Sequence, residues 1–191
     1  MNGIVLTHGA GTNADSPLLK LLAAAFEAAG WRAVRYNLPY RQQRPTGPPF
    51  PAQAAADRAG LAQAVAEMRA AVDGKIAIGG HSYGGRQASM LAAEQSGLID
   101  ALLLLSYPLH PPRKPEQMRA AHFPNWRTPA LFVHGTRDPF ASIEELRTAI
   151  AAIPAATRVL PLEKAGHELK GLNAPFVVTE FAGTLRPHDT I

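Results

Sequence analysis

Three side chains of this sequence are of the types that carry out acyl transfer: a serine, an aspartate and a histidine, at Ser82, Asp138 and His167. Ser82 sits in Gly80-His81-Ser82-Tyr83-Gly84, a G-x-S-x-G pattern between an apolar, strand-like run at 75–79 and a helical stretch at 85–91. A serine on so tight a strand-to-helix turn has its hydroxyl pushed above the sheet as a nucleophile, and side chains at the flanking glycines would collide across the turn. The pattern alone would arise by chance in roughly one chain of this composition in twenty-five, so its setting and its partners decide its meaning.

A serine hydroxyl is a weak nucleophile until a base takes its proton, and the base needs a third group to fix its tautomer. For this motif the chain order is serine, acid, histidine. The aspartates after Ser82 are Asp100, Asp138 and Asp189. Asp100 precedes a strand and so falls at the wrong end of the sheet, and Asp189 is in the tail. Asp138 follows the strand at 129–134, and the helix cap it could otherwise supply is already provided by Ser142, which with Glu145 forms a capping box. Two histidines follow Asp138. His188 belongs to the tail, whereas His167 follows the last strand, which leaves His167 as the base.

An acyl-transfer site must also stabilise an oxyanion. The backbone N–H of Tyr83 is one expected donor, and the turn after the first strand, His8-Gly9-Ala10-Gly11, supplies the second through Ala10, with Gly11 as the alternative. Residues at strand ends or on loops near this point, His8, Tyr40, Arg41, His81, Arg86 and Tyr107, are candidates for substrate binding. The spacings H-E-x-x-H, G-x-G-x-x-G and the P-loop are not found in the sequence, so neither a metal nor another cofactor is expected.

The elements that must position these groups alternate. Strands are expected at 3–8, 31–37, 75–79, 101–107, 129–134 and 157–162. Helices are expected from Ser16-Pro17 to Gly30, over 52–72, from the serine turn to near Gly97, over 142–150 and over 173–185. Residues 38–51 and 108–128, rich in proline, read as loops. Continuous apolar strands indicate burial on both faces, hence an α/β three-layer sandwich with a mostly parallel sheet of about six strands, in one domain over residues 1–191. Ligands of such a sheet bind beyond the carboxyl ends of its strands, where the candidate residues fall.

Composition sets the outer limits. The chain has 191 residues, 47% hydrophobic and 18% charged, with no cysteine, which rules out disulfides and a thiol nucleophile. Its net charge of +4 is spread over many segments with no basic stripe, so no nucleic-acid partner is expected. No signal-peptide pattern and no run long enough for a membrane span is present, and a cytoplasmic protein without a membrane partner is expected.

Thr7-His8-Gly9-Ala10-Gly11, Gly80-His81-Ser82-Tyr83-Gly84-Gly85-Arg86, the run from Leu105 to Pro112 and His134-Gly135-Thr136-Arg137-Asp138-Pro139-Phe140 together resemble the α/β-hydrolase superfamily over nearly the whole chain. More narrowly they resemble its small dienelactone-hydrolase-like family, whose eukaryotic relatives include a testis-expressed protein and a histone-acetyltransferase-complex subunit. The resemblance implies a reduced sheet without the two initial edge strands of larger members, with the first strand here lying between the second and third. It implies a serine hydrolase acting on small carboxylic esters or thioesters through an acyl-enzyme. The alternative is a protein-interaction module of the same fold with little or no turnover.

Overall fold

The apolar runs become six strands: β1 (Gly3–Thr7), β2 (Arg32–Tyr36), β3 (Ile76–His81), β4 (Ala101–Leu105), β5 (Ala130–Gly135) and β6 (Thr157–Leu162). In this computed structural model, which describes residues 1–185, they form one sheet in the order β2-β1-β3-β4-β5-β6. Every neighbouring pair is parallel. β1 thus lies between β2 and β3, the order the resemblance implies. His188 and Asp189 lie outside the described residues.

Two apolar layers flank the sheet. On one face, Ile4, Leu6, Leu103, Leu105 and Val133 meet α1 (Pro17–Ala28) and α6 (Ala174–Gly183), with Phe26, Trp31 and Phe181 packed edge to face or tilted between them. On the other, Val5, Ile78, Leu102, Leu104 and Phe132 pack with α3 (Ala54–Ala71), α4 (Tyr83–Glu94) and α5 (Ile143–Ile150). The four central strands, buried over their whole length, therefore read as unbroken apolar runs. Each fully buried leucine or isoleucine contributes roughly 1.5–3 kcal/mol relative to exposure. The edge strands differ: β2 and β6 are only half-buried, since each has a single strand neighbour and solvent beside it.

Some expected boundaries shift. Ser16 precedes α1 without a side-chain cap; Pro17 alone marks the start. Residues 38–51 are not all loop, because Pro39 at the first helical position opens a short helix, α2 (Pro39–Gln43). A 3₁₀ turn, Pro51–Gln53, leads into α3. β4 stops at Leu105, where Ser106 takes a positive φ of 49° and ends the strand. The capping box of α5 forms as expected, Ser142 Oγ accepting from the Glu145 amide at 3.1 Å and Glu145 Oε2 from the Ser142 amide at 2.7 Å. No helix among the described residues is long and apolar enough to cross a membrane.

Candidate active site

β3 ends at His81, α4 begins at Tyr83, and Ser82 alone makes the turn between them with φ 50° and ψ −116°. A non-glycine residue held in such a region carries strain of about 1–3 kcal/mol, retained only where the surroundings fix it. Here they do so by backbone contact: a Cβ on Gly80 would come within 2.4 Å of the Gly85 backbone, and one on Gly84 within 2.5 Å of the His8 carbonyl oxygen. The Ser82 amide donates to the Leu105 carbonyl at 2.8 Å and the Gly84 amide to that of His8 at 3.1 Å. The turn is thereby tied to β4 on one side and to the end of β1 on the other.

Ser82 Oγ lies 2.8 Å from His167 Nε2, and His167 Nδ1 lies 2.8 Å from Asp138 Oδ2. With Nδ1–H donating to the carboxylate, the Nε2 lone pair is aimed at the hydroxyl proton. Asp138 is buried, which pushes its carboxyl up, but the bond from His167, the Phe140 amide at 2.9 Å on Oδ1 and nearby His134 outweigh burial and hold it below the usual carboxylate range. These three residues come from the ends of β3, β5 and β6, brought to one point by a sheet whose carboxyl ends all face the same way.

The turn after β1 is held from beneath. Gly9 O accepts from the Thr12 amide at 3.2 Å, from His8 Nδ1 at 2.9 Å and from the Tyr40 hydroxyl at 3.2 Å; Ala10 O accepts from the Tyr40 hydroxyl at 3.0 Å and from an Arg41 Nη at 2.9 Å. In a trans peptide the N–H points opposite to the carbonyl that precedes it. Fixing Gly9 O downward therefore turns the Ala10 amide the other way. Neither that amide nor the Tyr83 amide, the first of α4, donates to an acceptor among the described residues.

Four candidates for substrate binding are placed otherwise, and a fifth, His81, in part. Tyr40 and Arg41 are buried and grip the β1 turn; Arg41 Nε also donates to Thr12 O at 2.8 Å. His8 is buried, its Nε2 accepting from the Leu38 amide at 3.1 Å, and burial lowers its pKa to about 4, which keeps the ring neutral. His81 donates from Nε2 to the His167 carbonyl at 2.9 Å, its rings 5.2 Å from those of His167; burial, with His167 beside it, disfavours its charged form. Tyr107 is fully buried and bonded to Ser89 at 3.2 Å, its hydroxyl pushed up to about 12 by burial. His8, Tyr40, Arg41 and Tyr107 are supports of the site and line neither cavity at Ser82, whereas His81 both holds His167 and lines the smaller of the two. Arg86 lines the larger.

Two cavities meet at Ser82. One of about 570 Å³ runs between the 48–54 segment and α4, past Ala10, Tyr83, Arg86 and Arg119. The other, of about 330 Å³, lies along Gly9–Thr12, His81, His167 and Glu168. Phe140 borders both, its ring 4.3 Å from that of His167.

Sequence reasoning missed Asp57. From α3 it accepts the Tyr40 amide on Oδ1 at 3.0 Å and the Tyr83 hydroxyl on Oδ2 at 2.7 Å, fully buried. It thus ties the residue that holds the β1 turn to the residue that follows Ser82. The signal was present: Leu61, Val65 and Met68 form the buried stripe of α3, and one turn earlier the stripe continues to a carboxylate.

A protein-family profile described as an alpha/beta hydrolase domain matches residues 1–175. The fold is shared with a dienelactone hydrolase from Anabaena variabilis, at 21% identity, a TM-score of 0.70, and coverage of 95% of this chain and 83% of that one. It is shared as well with Est1E from Butyrivibrio proteoclasticus, solved with ferulic acid bound (14% identity, TM-score 0.75, 96% and 90% covered). A monoacylglycerol lipase from Paleococcus ferrophilus aligns with TM-score 0.74 at 14% identity, over 96% of this chain and 93% of its own. With 175 of 191 residues matched by the profile and a sheet of the same kind, this chain belongs to the α/β-hydrolase family and is a hydrolase.

Proposed function

We propose that the chain is a serine hydrolase that cleaves small carboxylic esters or thioesters through an acyl-enzyme. The observation that carries this reading is the unbroken line of bonds from Ser82 Oγ to His167 Nε2 and from Nδ1 to Asp138, each 2.8 Å, ending at a strained serine between two cavities.

In this reading Ser82 Oγ attacks the carbonyl carbon while His167 Nε2 takes its proton, and Asp138 stabilises the imidazolium that forms. The oxyanion is received by the amides of Ala10 and Tyr83, each worth about 3–4 kcal/mol in the transition state. His167 returns the proton to the leaving oxygen or sulfur as the carbonyl–heteroatom bond breaks. A water then attacks the acyl-enzyme, His167 accepts its proton, the Oγ–carbon bond breaks and the acid departs. The two cavities on either side of Ser82 fit an acyl arm and a leaving-group arm. Residues 48–51, Pro108 and Arg119 help to wall the larger one, whose volume of about 570 Å³ suits short chains better than long lipids.

The test is labelling by a fluorophosphonate probe and turnover of 4-nitrophenyl acetate, with Ser82→Ala as control. Wild-type labelling and turnover, both lost in Ser82→Ala, are expected. An unlabelled wild-type protein that also leaves the acetate intact would sink the reading.

A further inference from the structure

The larger cavity has an unusual polar end. Arg86 and Arg119 both line it, one from the first turn of α4 and the other from the loop after β4. Among the described residues neither forms a salt bridge. Arg86 Nε is buried with no hydrogen-bond partner. Gln87, fully buried and also lining the cavity, accepts on Oε1 from Arg58 Nη1 at 3.0 Å, and its Nε2 donor is left unpartnered. Glu94, the carboxylate on the same helix, is already held by Arg58 at 2.9 Å. Burial holds the Arg119 guanidinium below its ordinary pKa, and Arg86 nearby adds to that, with no carboxylate offsetting it.

Two guanidiniums and an amide, all donors, with no side-chain acceptor among the described residues, form an incomplete cluster, because Arg86 Nε and Gln87 Nε2 are buried and buried donors left unmade are costly. An oxyanion completes it, and the guanidinium fork matches a carboxylate or a phosphate. The rest of the wall is apolar, from Pro48, Phe50, Met90 and Pro108, and suits a short methylene chain.

We infer that Arg86, Gln87 and Arg119 form an anion subsite, and that the substrate is an ester or thioester with an anionic group on the arm lying in this cavity. The inference deepens the esterase reading and rests on it for the reaction, though not for binding.

The test compares kcat/KM for 4-nitrophenyl hemiadipate and 4-nitrophenyl hexanoate, which differ by one terminal carboxylate. The ratio is expected to favour the hemiadipate by ~10-fold or more, the size of a charge-assisted hydrogen bond, and to fall toward one in Arg119→Gln and in Arg86→Gln. Raising the salt lowers it as well. Calorimetry on the Ser82→Ala protein needs no turnover: monomethyl adipate or butyl phosphate binds, whichever is tighter identifying the anion, and adding Arg119→Gln weakens it by ~5-fold or more. Turnover of both esters with a ratio near one, unmoved by either substitution, overturns the subsite and leaves the esterase reading standing. Arg119-dependent binding with neither ester cleaved keeps the subsite and removes the esterase reading.

Discussion

At the scale of single residues the site depends on protonation states that burial dictates. His167 must be free of a proton at Nε2 to take that of Ser82, so ester turnover is expected to be lost in acid, measured as kcat/KM against pH. Asp138→Asn keeps the shape but reverses the acceptor at His167 Nδ1, and kcat is expected to drop on the order of 10³–10⁴-fold. A second pH effect acts on stability. His8 has a folded pKa of about 4 against 6.5 for the free side chain, and His122, bonded to Ser89 at 2.9 Å, is likewise lowered to about 4, chiefly by burial. The unfolded chain then binds protons that the folded one refuses. Stability is therefore full above the unfolded value of 6.5 and declines as pH falls from there to about 4. Urea midpoints at pH 7, 6 and 5 check this; a constant midpoint would mean that both rings are charged in the folded protein.

At the scale of elements the candidate site is a set of strand ends joined by short clamps. Asp57 is the clamp that joins α3 to Tyr40, which holds the β1 turn, and to Tyr83, which follows Ser82. Asp57→Ala is expected to lower kcat by ~10-fold or more with little change in KM, since Tyr40 and Tyr83 lose their shared partner and the amides above them lose alignment. Asp57→Asn, which can still accept from the Tyr40 amide, is expected to recover part of the loss; a KM effect alone would mean that Asp57 only shapes the cavity. Gly80→Ala places a methyl group inside the backbone of α4 and is expected to cost at least about 2 kcal/mol of stability, seen in thermal or urea unfolding.

What the sequence revealed divides along the same line. Strands buried on both faces, the Pro17 start and the Ser142 cap were legible because local pattern alone determines them. The order of Ser82, Asp138 and His167 was legible because the motif limits which later residues can join it. Tyr40, Arg41 and Tyr107 were misplaced because position after a strand fixes which end of the sheet a residue lies at, but not whether its side chain faces the cavity or the layer beneath. α2 was missed because proline was read as a breaker where it serves as a helix start. Asp57 was missed because its partners, Tyr40 and Tyr83, lie on other elements far away in sequence.

At the scale of the whole molecule, the strand order has a consequence for how the protein comes to be. β1 is interior, flanked by β2 and β3, and from β3 onward each strand adds to the same growing edge in the order of synthesis. A chain made from its amino terminus can therefore extend its sheet one strand at a time, without reopening any pair already formed. The serine turn closes when β3 and α4 dock, tens of residues before His167 exists. In that order the loop after β6 that carries His167 is among the last parts to be made, so the bond between His167 Nε2 and Ser82 Oγ is among the last contacts at this end of the sheet to form.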